Sequence, residues 1–238
     1  MVLSLGMIFF LLGILKTNHM KRQRGKEGEK IVAKALKFWV EKKNKNYVYN
    51  DITLPTNSGH TTQIDHLVLS VKGIFVIETK YLNGVIVGDV DSRQWKHINH
   101  LKKENQIYNP LMQNNGHLKH LAQILKVPMK DMTGIVTNVG KAKLSGSINP
   151  ILGKTAIERG TGFAFRIWWS SDKVFTQDKI DELKAMIDDI RLDQSDEVNK
   201  KHIEYVKRFK SKKNKGNAVV VIGAFVVIGA VLFAYITG

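Results

Sequence analysis

Residues 61–84 read TTQIDHLVLSVKGIFVIETKYLNG and predict the central element of the fold. It contains two runs rich in β-forming residues, 62–70 and 74–80, separated by residues 71–73. Such a pattern predicts a β-hairpin. Both runs are apolar on both faces, which is typical of strands in the middle of a sheet. We therefore expect this hairpin to form the centre of the domain's sheet.

Three charged residues interrupt the apolar runs: Asp65 in the first, and Glu78 and Lys80 in the second. A two-residue loop at 71–72 would set Asp65 opposite Glu78, whereas a loop at 72–73 would set it opposite Lys80. Either register puts the three groups on one face, with opposing Cβ atoms about 5 Å apart. A three-residue loop without a bulge would instead turn Asp65 to the other face.

Two opposed carboxylates in an apolar sheet predict a cation between them. They repel each other, and desolvating each one costs several kcal/mol. The single amine of Lys80 cannot neutralise both carboxylates, but a divalent cation can. Oxygen ligands without His or Cys favour Mg²⁺ or Mn²⁺. The alternative is structural, with Glu78 and Lys80 forming an ion pair and Asp65 bound to a loop.

Apolar residues at three- and four-residue spacing predict a helix on each side of the hairpin, over residues 26–43 and 110–126. Glu29 falls in the first turn of the first helix. On the second helix, Gln113 and His117 lie one turn apart, where they could contact DNA or the active site; the alternative for His117 is a structural role. Three further elements are predicted, namely strands over 134–137 and 163–170 and a helix over 177–191 that is capped by Thr176.

The composition excludes several classes of site and favours an anionic partner. The chain has 238 residues, no cysteine and a formal net charge of +16. Without cysteine there is no disulfide framework, iron–sulfur cluster, Cys-based zinc site or cysteine nucleophile. The chain also lacks H-E-x-x-H, P-loop and G-x-S-x-G motifs. Residues 25–170 carry 21 cations and 11 anions, which suits a polyanion such as nucleic acid.

Both ends of the chain are apolar. Residues 218–236 contain no charged side chain, and as a helix they would extend about 28 Å, enough to cross a bilayer. Residues 2–15 would extend only about 21 Å and are expected to form a short span or an interfacial anchor. Lysine and arginine clusters flank both segments on the side of the middle of the chain. The positive-inside rule places that middle in the cytoplasm, with the cations near anionic lipid.

Four short motifs follow one another in the first part of the chain. They are Gly25-x-x-Gly28-Glu29, Gln63-Ile64-Asp65-His66, the run from Gly73 to Lys80, and Asn109-Pro110-Leu111 with Gln113. In this order they resemble the nuclease-related domain called NERD, over about residues 25–140. The resemblance implies an α/β fold with a restriction-endonuclease-like αβββαβ core, here followed by C-terminal helices and flanked by terminal transmembrane segments.

The resemblance also implies roles for the site residues. Asp65 and Glu78 would bind Mg²⁺, together with the carbonyl of Thr79. Lys80 would orient or deprotonate the attacking water and stabilise charge. Glu29 would complete the site as a metal ligand or a contact to that water. The residues expected to bind substrate are Gln63, Gln113 and His117.

The predicted organisation has five segments. They are a hydrophobic anchor or short transmembrane helix over 1–16, a NERD-like nuclease core over 25–140, an extension of that core over 141–193, a basic juxtamembrane helix or linker over 194–216, and a transmembrane helix over 217–237. The expected function is a membrane-anchored, Mg²⁺-dependent nuclease acting on DNA at the cytoplasmic face. The alternatives are a catalytically silent NERD-like module that binds nucleic acid or a protein partner, and a membrane scaffold.

Overall fold

The structure, a computed structural model, describes residues 19–20, 22–42, 45–56, 60–145, 151–152 and 155–192. Met1–Leu54 and Gln63–Arg191 form one compact unit, and Pro55–Thr62 with Leu192–Gly238 form a second. The elements below belong to the first unit, apart from the ends of two strands. Within the described ranges, no helix is both long and apolar enough to cross a membrane. The predicted apolar segments 2–15 and 218–236 and the predicted juxtamembrane helix or linker over 194–216 lie outside these ranges.

The main sheet has six strands in the order β1-β2-β3-β7-β10-β9. β2 and β3 pair antiparallel, β3 and β7 pair parallel, and β7 and β10 pair parallel. The predicted hairpin therefore lies inside the sheet, because β3 has a hydrogen-bonded neighbour on each side. The strand bounds are β1 Tyr47–Pro55, β2 Thr61–Ser70, β3 Gly73–Lys80, β7 Met132–Asn138, β9 Ile151–Leu152 and β10 Thr155–Arg159.

Helices cover both faces of this sheet. On one face, Leu118 and Leu121 of α2 and Leu183 of α4 pack in a core with Leu67 and Val76 of the hairpin. On the other face, α1 and α3 pack against Val68, Ile77 and Ile135 of the central strands. The helix bounds are 22–36 for α1, continued by a π-helical turn at Lys37–Glu41, then α2 Pro110–Leu125, α3 Gly162–Trp169 and α4 Gln177–Ile190.

A second sheet, which the sequence did not predict, is inserted between β3 and α2. Its order is β6-β5-β4-β8, and β8 comes from the chain after β7. Trp95 is fully buried at its centre, in a small core shared with Ile86 and Leu111. The strand bounds are β4 Val85–Val87, β5 Gln94–Ile98, β6 Glu104–Tyr108 and β8 Lys143–Ser145. The described chain is therefore a mixed α/β fold with two sheets and several helices.

The prediction of a strand over residues 163–170 is wrong, because this segment is helix α3. Phe163, Ala164 and Ile167 face the core at helical spacing, while Trp169 is 71% exposed. An apolar run of eight residues is compatible with both a strand and a helix, and periodicity alone does not separate them. The predicted helices over 26–43, 110–126 and 177–191 are confirmed, including the cap of α4 by the Thr176 side chain.

Candidate active site

The hairpin register brings Asp65 and Glu78 together. Ser70 pairs with Gly73 and His66 pairs with Ile77, so residues 71–72 form the loop. One further step in this register sets Asp65 across from Glu78, which is the first of the two registers considered above. Side chains alternate along a strand, so these two point to the face covered by α2.

Glu78 is buried, and three side chains surround its carboxylate. Lys80 makes an ion pair with Oε1, and Gln113 Nε2 donates a hydrogen bond to Oε2 at 2.9 Å. The Nε2 of His117 lies 3.7 Å from Oε2. Burial by itself would raise the pKa of Glu78, but the Lys80 ammonium and the His117 ring outweigh burial and hold the pKa below its usual range. Glu78 is thus ionised at neutral pH.

Asp65 behaves in the opposite way. Burial, followed by the charge of Glu78, raises the pKa of Asp65 well above its usual value. The backbone N–H of Thr79 donates to Asp65 Oδ2 at 2.7 Å and partly opposes that rise. Without a cation, the repulsion between the two carboxylates therefore raises the pKa of Asp65, whereas the pKa of Glu78 stays low. A positive charge placed between them would favour ionisation of both.

Lys80 keeps its proton in this arrangement. Desolvation would lower the pKa of Lys80, but the carboxylates of Glu78 and Asp65 more than compensate and raise the pKa. The Nζ atom also lies 3.4 Å from Gln113 Oε1. The amine is therefore a fixed positive charge beside two acids.

Helix α1 brings Glu29 into the same electrostatic cluster. Burial, followed by the charges of Asp51 and Glu78, raises the pKa of Glu29, and Lys80 opposes the rise. The helix approaches closely because residue 28 is glycine: a Cβ there would lie 3.1 Å from Tyr81 Cβ. The structure thus places the predicted residues of the site, on α1, β2 and β3, within one another's field.

Sequence reasoning missed Asp51, the fourth acid of the cluster. Tyr49 and Ile52 of β1 pack in the same core although they are three residues apart. In a regular strand they would point to opposite faces, so the in–out alternation of side chains is interrupted between them. Asp51 lies at this interruption and adopts a left-handed backbone conformation, with φ +54°. Its carboxylate accepts a hydrogen bond from Gln63, a predicted substrate-binding residue. The Asn50-Asp51 pair inside an otherwise apolar strand was the available signal, because Asn and Asp tolerate this conformation.

The structural roles of two asparagines that frame helix α2 were not predicted, although Asn109 belongs to one of the four motifs. Asn109 accepts hydrogen bonds from the first-turn N–H groups of Leu111 and Met112. Its amide donates to the carbonyls of Val90 and Ser92 and so ties the second sheet to the helix. Asn114 donates to carbonyls of β3 and β7. These bonds fix the helix that carries Gln113 and His117.

The donor chemistry of the cluster fits a hard divalent cation, since it offers carboxylate oxygens and no thiolate. In the described part of the chain, however, no three acidic or imidazole side chains stand in a metal-holding arrangement. Lys80 and Gln113 instead engage the oxygens of Glu78, and Thr79 engages Asp65. A cation would therefore take over contacts that the protein now satisfies internally.

Comparison with known families identifies the class of this domain. Residues 24–139 match the family model described as NERD, nuclease-related domain. This part of the chain is therefore a nuclease-related domain of the restriction-endonuclease-like class. Residues 24–139 are thus a NERD domain, so the recognition made from the four motifs is confirmed.

One curated relative matches part of the chain. An uncharacterized protein of Bacillus anthracis is 35% identical over 108 residues, which cover 45% of this chain and 50% of that protein. The chain thus spans about half the length of this relative. No solved structure matches the chain.

Proposed function

We propose that this protein is a Mg²⁺-dependent nuclease that hydrolyses phosphodiester bonds of DNA and is anchored at the cytoplasmic face of a membrane. The observation that carries the proposal is the pairing of Asp65 with Glu78 on the α2 face, beside the protonated amine of Lys80. Unequal environments push the pKa values of the two carboxyls apart, and such pairs are typical of functional sites.

The order of elements supports the proposal. Helix α1, strands β1 to β3, helix α2 and strand β7 follow one another as in a restriction-endonuclease-like αβββαβ core, with β4 to β6 as an insertion. The acids lie on β2 and β3, and Glu29 lies on the first helix, as the family resemblance implies. The match of residues 24–139 to a nuclease-related domain supports nucleic acid as the substrate.

Asp65 and Glu78, with the Thr79 carbonyl, would hold Mg²⁺ or Mn²⁺, which supplies Lewis-acid charge to the phosphodiester. Lys80 would orient the attacking water and offset the negative charge that accumulates at phosphorus. Glu29, whose pKa is raised by burial and by its acidic neighbours, would contact that water and accept its proton. Gln63, Gln113 and His117 would position the substrate.

Membrane anchoring, contact with lipid and the cytoplasmic location of the domain are part of the same proposal. Their support comes from the sequence: the uncharged run at 218–236, the apolar run at 2–15, and the cationic clusters that flank them.

A catalytically silent module that binds nucleic acid or a protein partner is the second candidate. One observation favours it. Each carboxylate of the pair already has a partner within the protein, because Asp65 accepts from Thr79 and Glu78 pairs with Lys80. Such a cluster can persist without a metal.

A cleavage assay separates the two candidates. The full-length protein in detergent is incubated with end-labelled single- and double-stranded DNA, and with RNA, in Mg²⁺ or EDTA. We expect Mg²⁺-dependent cleavage of DNA that Glu78→Gln abolishes. The matched control is Glu182→Gln, an exposed carboxylate on α4 that pairs with Lys179, and it should cleave normally. Absence of cleavage by the wild type would leave the silent module, and equal cleavage by Glu78→Gln would show that the acidic cluster does not carry out the reaction.

A further inference from the structure

A polar cleft of 410 Å³ opens beside the acidic cluster. Its walls come from the start of α1, the segment that follows β3, and the β5–β6 hairpin of the inserted sheet. The lining side chains that matter here are Arg24, Tyr81, Asn83, His97, His100 and Asn105. No role has so far been given to this cleft, and it falls in the size range of small-ligand sites.

The cleft begins one residue from the catalytic lysine proposed above. Tyr81 directly follows Lys80 in the chain. Gly28 lies against Tyr81 so closely that a Cβ there would meet the Tyr81 Cβ at 3.1 Å. Arg24 lies one turn before Gly28 on the same side of α1. A single helix thus delivers Glu29 to the acidic cluster and Arg24 to the cleft.

Hydrogen bonds hold the wall of the cleft in place before any ligand binds. Asn138 of β7 accepts from the backbone N–H of Leu82 at 2.9 Å and donates to its carbonyl at 3.1 Å. The Asn83 carbonyl accepts from His97 Nε2 at 2.7 Å, and the Asn83 side-chain oxygen accepts from the Lys141 N–H at 2.7 Å. Preorganised walls reduce the entropy lost on binding.

The cleft differs in charge from the acidic cluster beside it, because its lining offers cationic and neutral hydrogen-bonding groups. Among the described residues that line it, none carries a carboxylate. Arg24 and His100 are exposed and offer donors for a phosphate oxygen. Asn105, which pairs with His97 across β5 and β6, offers an amide for a base edge. Tyr81 offers an aromatic ring of the kind on which bases stack.

We propose that this cleft binds one nucleotide of the substrate strand, directly beside the phosphodiester that is cleaved. Arg24 and His100 would contact its phosphate, and Asn105 and Tyr81 its base. The inference rests on the proposed nuclease function, because it treats the acidic cluster as the place of cleavage. It also gives the inserted β4–β6 sheet a purpose, since that sheet supplies one wall of the cleft.

Binding of a short oligonucleotide tests the inference independently of cleavage. Fluorescence anisotropy of a labelled 12-nucleotide DNA strand is measured with the full-length protein in EDTA. We expect Arg24→Ala and Asn105→Ala each to raise Kd about tenfold, equivalent to about 1.4 kcal/mol. The matched controls are Arg22→Ala, an exposed arginine of the same helix outside the cleft, and Gln94→Ala, an exposed amide of the same hairpin. They should change Kd less than twofold.

Photocrosslinking locates the bound strand directly. A 4-thiothymidine placed along the oligonucleotide should crosslink to peptides that contain Tyr81 or Asn105, as identified by mass spectrometry. Equal weakening by cleft and control variants, or crosslinks confined to other peptides, would overturn the inference. If the wild type cleaves DNA but the cleft variants bind normally, the inference fails and the nuclease proposal stands. If binding depends on the cleft but no cleavage occurs, the nuclease proposal fails and the nucleotide site stands.

Discussion

The backbone N–H of Thr79 donates a hydrogen bond to the carboxylate of Asp65 at 2.7 Å, across the central hairpin. The side chain of Glu78, the residue before Thr79, is turned toward Lys80 and α2. Adjacent residues of one strand therefore engage two different partners, an acid on β2 and a helix. This relationship keeps two carboxyls in one small volume, and it makes the stability of the hairpin sensitive to their charge.

Asp65→Asn should stabilise the metal-free protein. The amide oxygen can still accept from Thr79, while the repulsion with Glu78 disappears. We expect the melting temperature in EDTA to rise by about 2–4 °C, equivalent to about 1 kcal/mol for a chain of this size. Differential scanning calorimetry of the full-length protein measures it. A clear drop in melting temperature would show that Asp65 is needed in its charged form for folding.

Lys80→Met should destabilise the fold strongly, because it leaves Glu78 buried without its cation. The Glu78 side chain is 3% exposed and that of Lys80 is 25% exposed, so we expect a loss of about 3 kcal/mol, at the low end for a buried pair. Urea denaturation in EDTA measures the loss.

The exposed pair Lys179–Glu182, 2.8 Å apart, provides the control for that experiment. Lys179→Met should cost less than about 1 kcal/mol. The double variant Lys80→Met/Glu78→Leu should recover much of the stability lost in Lys80→Met, since it removes the unpaired charge. Similar losses for Lys80→Met and Lys179→Met would mean that the site pair is effectively solvated.

The buried His66 should make stability depend on pH. Burial lowers the pKa of His66 from 6.5 to about 4, although the charge of Glu78 opposes the shift. Between pH 6.5 and about 4, His66 is therefore protonated in the unfolded chain but neutral in the folded chain. This contribution is complete above pH 6.5 and is lost progressively as pH falls to 4, for a total of about 3 kcal/mol.

Comparison with His66→Gln isolates this term from the titration of carboxyl groups. The difference in unfolding free energy between the two proteins, from urea denaturation at several pH values in EDTA, should change by about 1.4 kcal/mol per pH unit between pH 4 and 6. A difference that does not vary with pH would show that His66 is protonated equally in both states.

Asn109→Ala should destabilise both α2 and the inserted sheet. The fully buried side chain caps the helix and donates to the carbonyls of Val90 and Ser92. Loss of the cap and of two further hydrogen bonds predicts about 3 kcal/mol in total. Asn109→Ser retains the cap and should lose about 2 kcal/mol. Equal losses for the two variants in urea denaturation would show that the cap contributes nothing.

The central hairpin and its helices were predictable because each has a strong local signal. Two long apolar runs defined β2 and β3, and helical spacing defined α1, α2 and α4. The register was not predictable, because residues 71–73 allow a two-residue loop at 71–72, a two-residue loop at 72–73, or a three-residue loop. The fold resolves the choice by pairing Ser70 with Gly73, which adopts a positive φ of 135°.

The parts that escaped prediction depend on contacts distant in sequence or on one backbone angle. Strands β4 to β6 have only three to five residues. β4 reads Val-Ile-Val, which is too short to identify a strand, and β5 and β6 are polar or charged at three of their five positions. Asp51 enters the cluster only because its own backbone is left-handed. In the sequence Asn114 is only a polar residue on a helix. Its role depends on two carbonyl acceptors from β3 and β7, which are distant in the chain.

Electron paramagnetic resonance of Mn²⁺ binding would show whether Asp65 and Glu78 hold a cation. If the paired carboxyls form a cation site, the wild-type protein should bind about one Mn²⁺ ion, and Asp65→Asn and Glu78→Gln should each weaken binding at least about tenfold. Glu182→Gln, on the exposed face of α4, should bind like the wild type. Equal Mn²⁺ affinity for all four proteins would contradict the account, since the acidic cluster would then have no role in holding a metal.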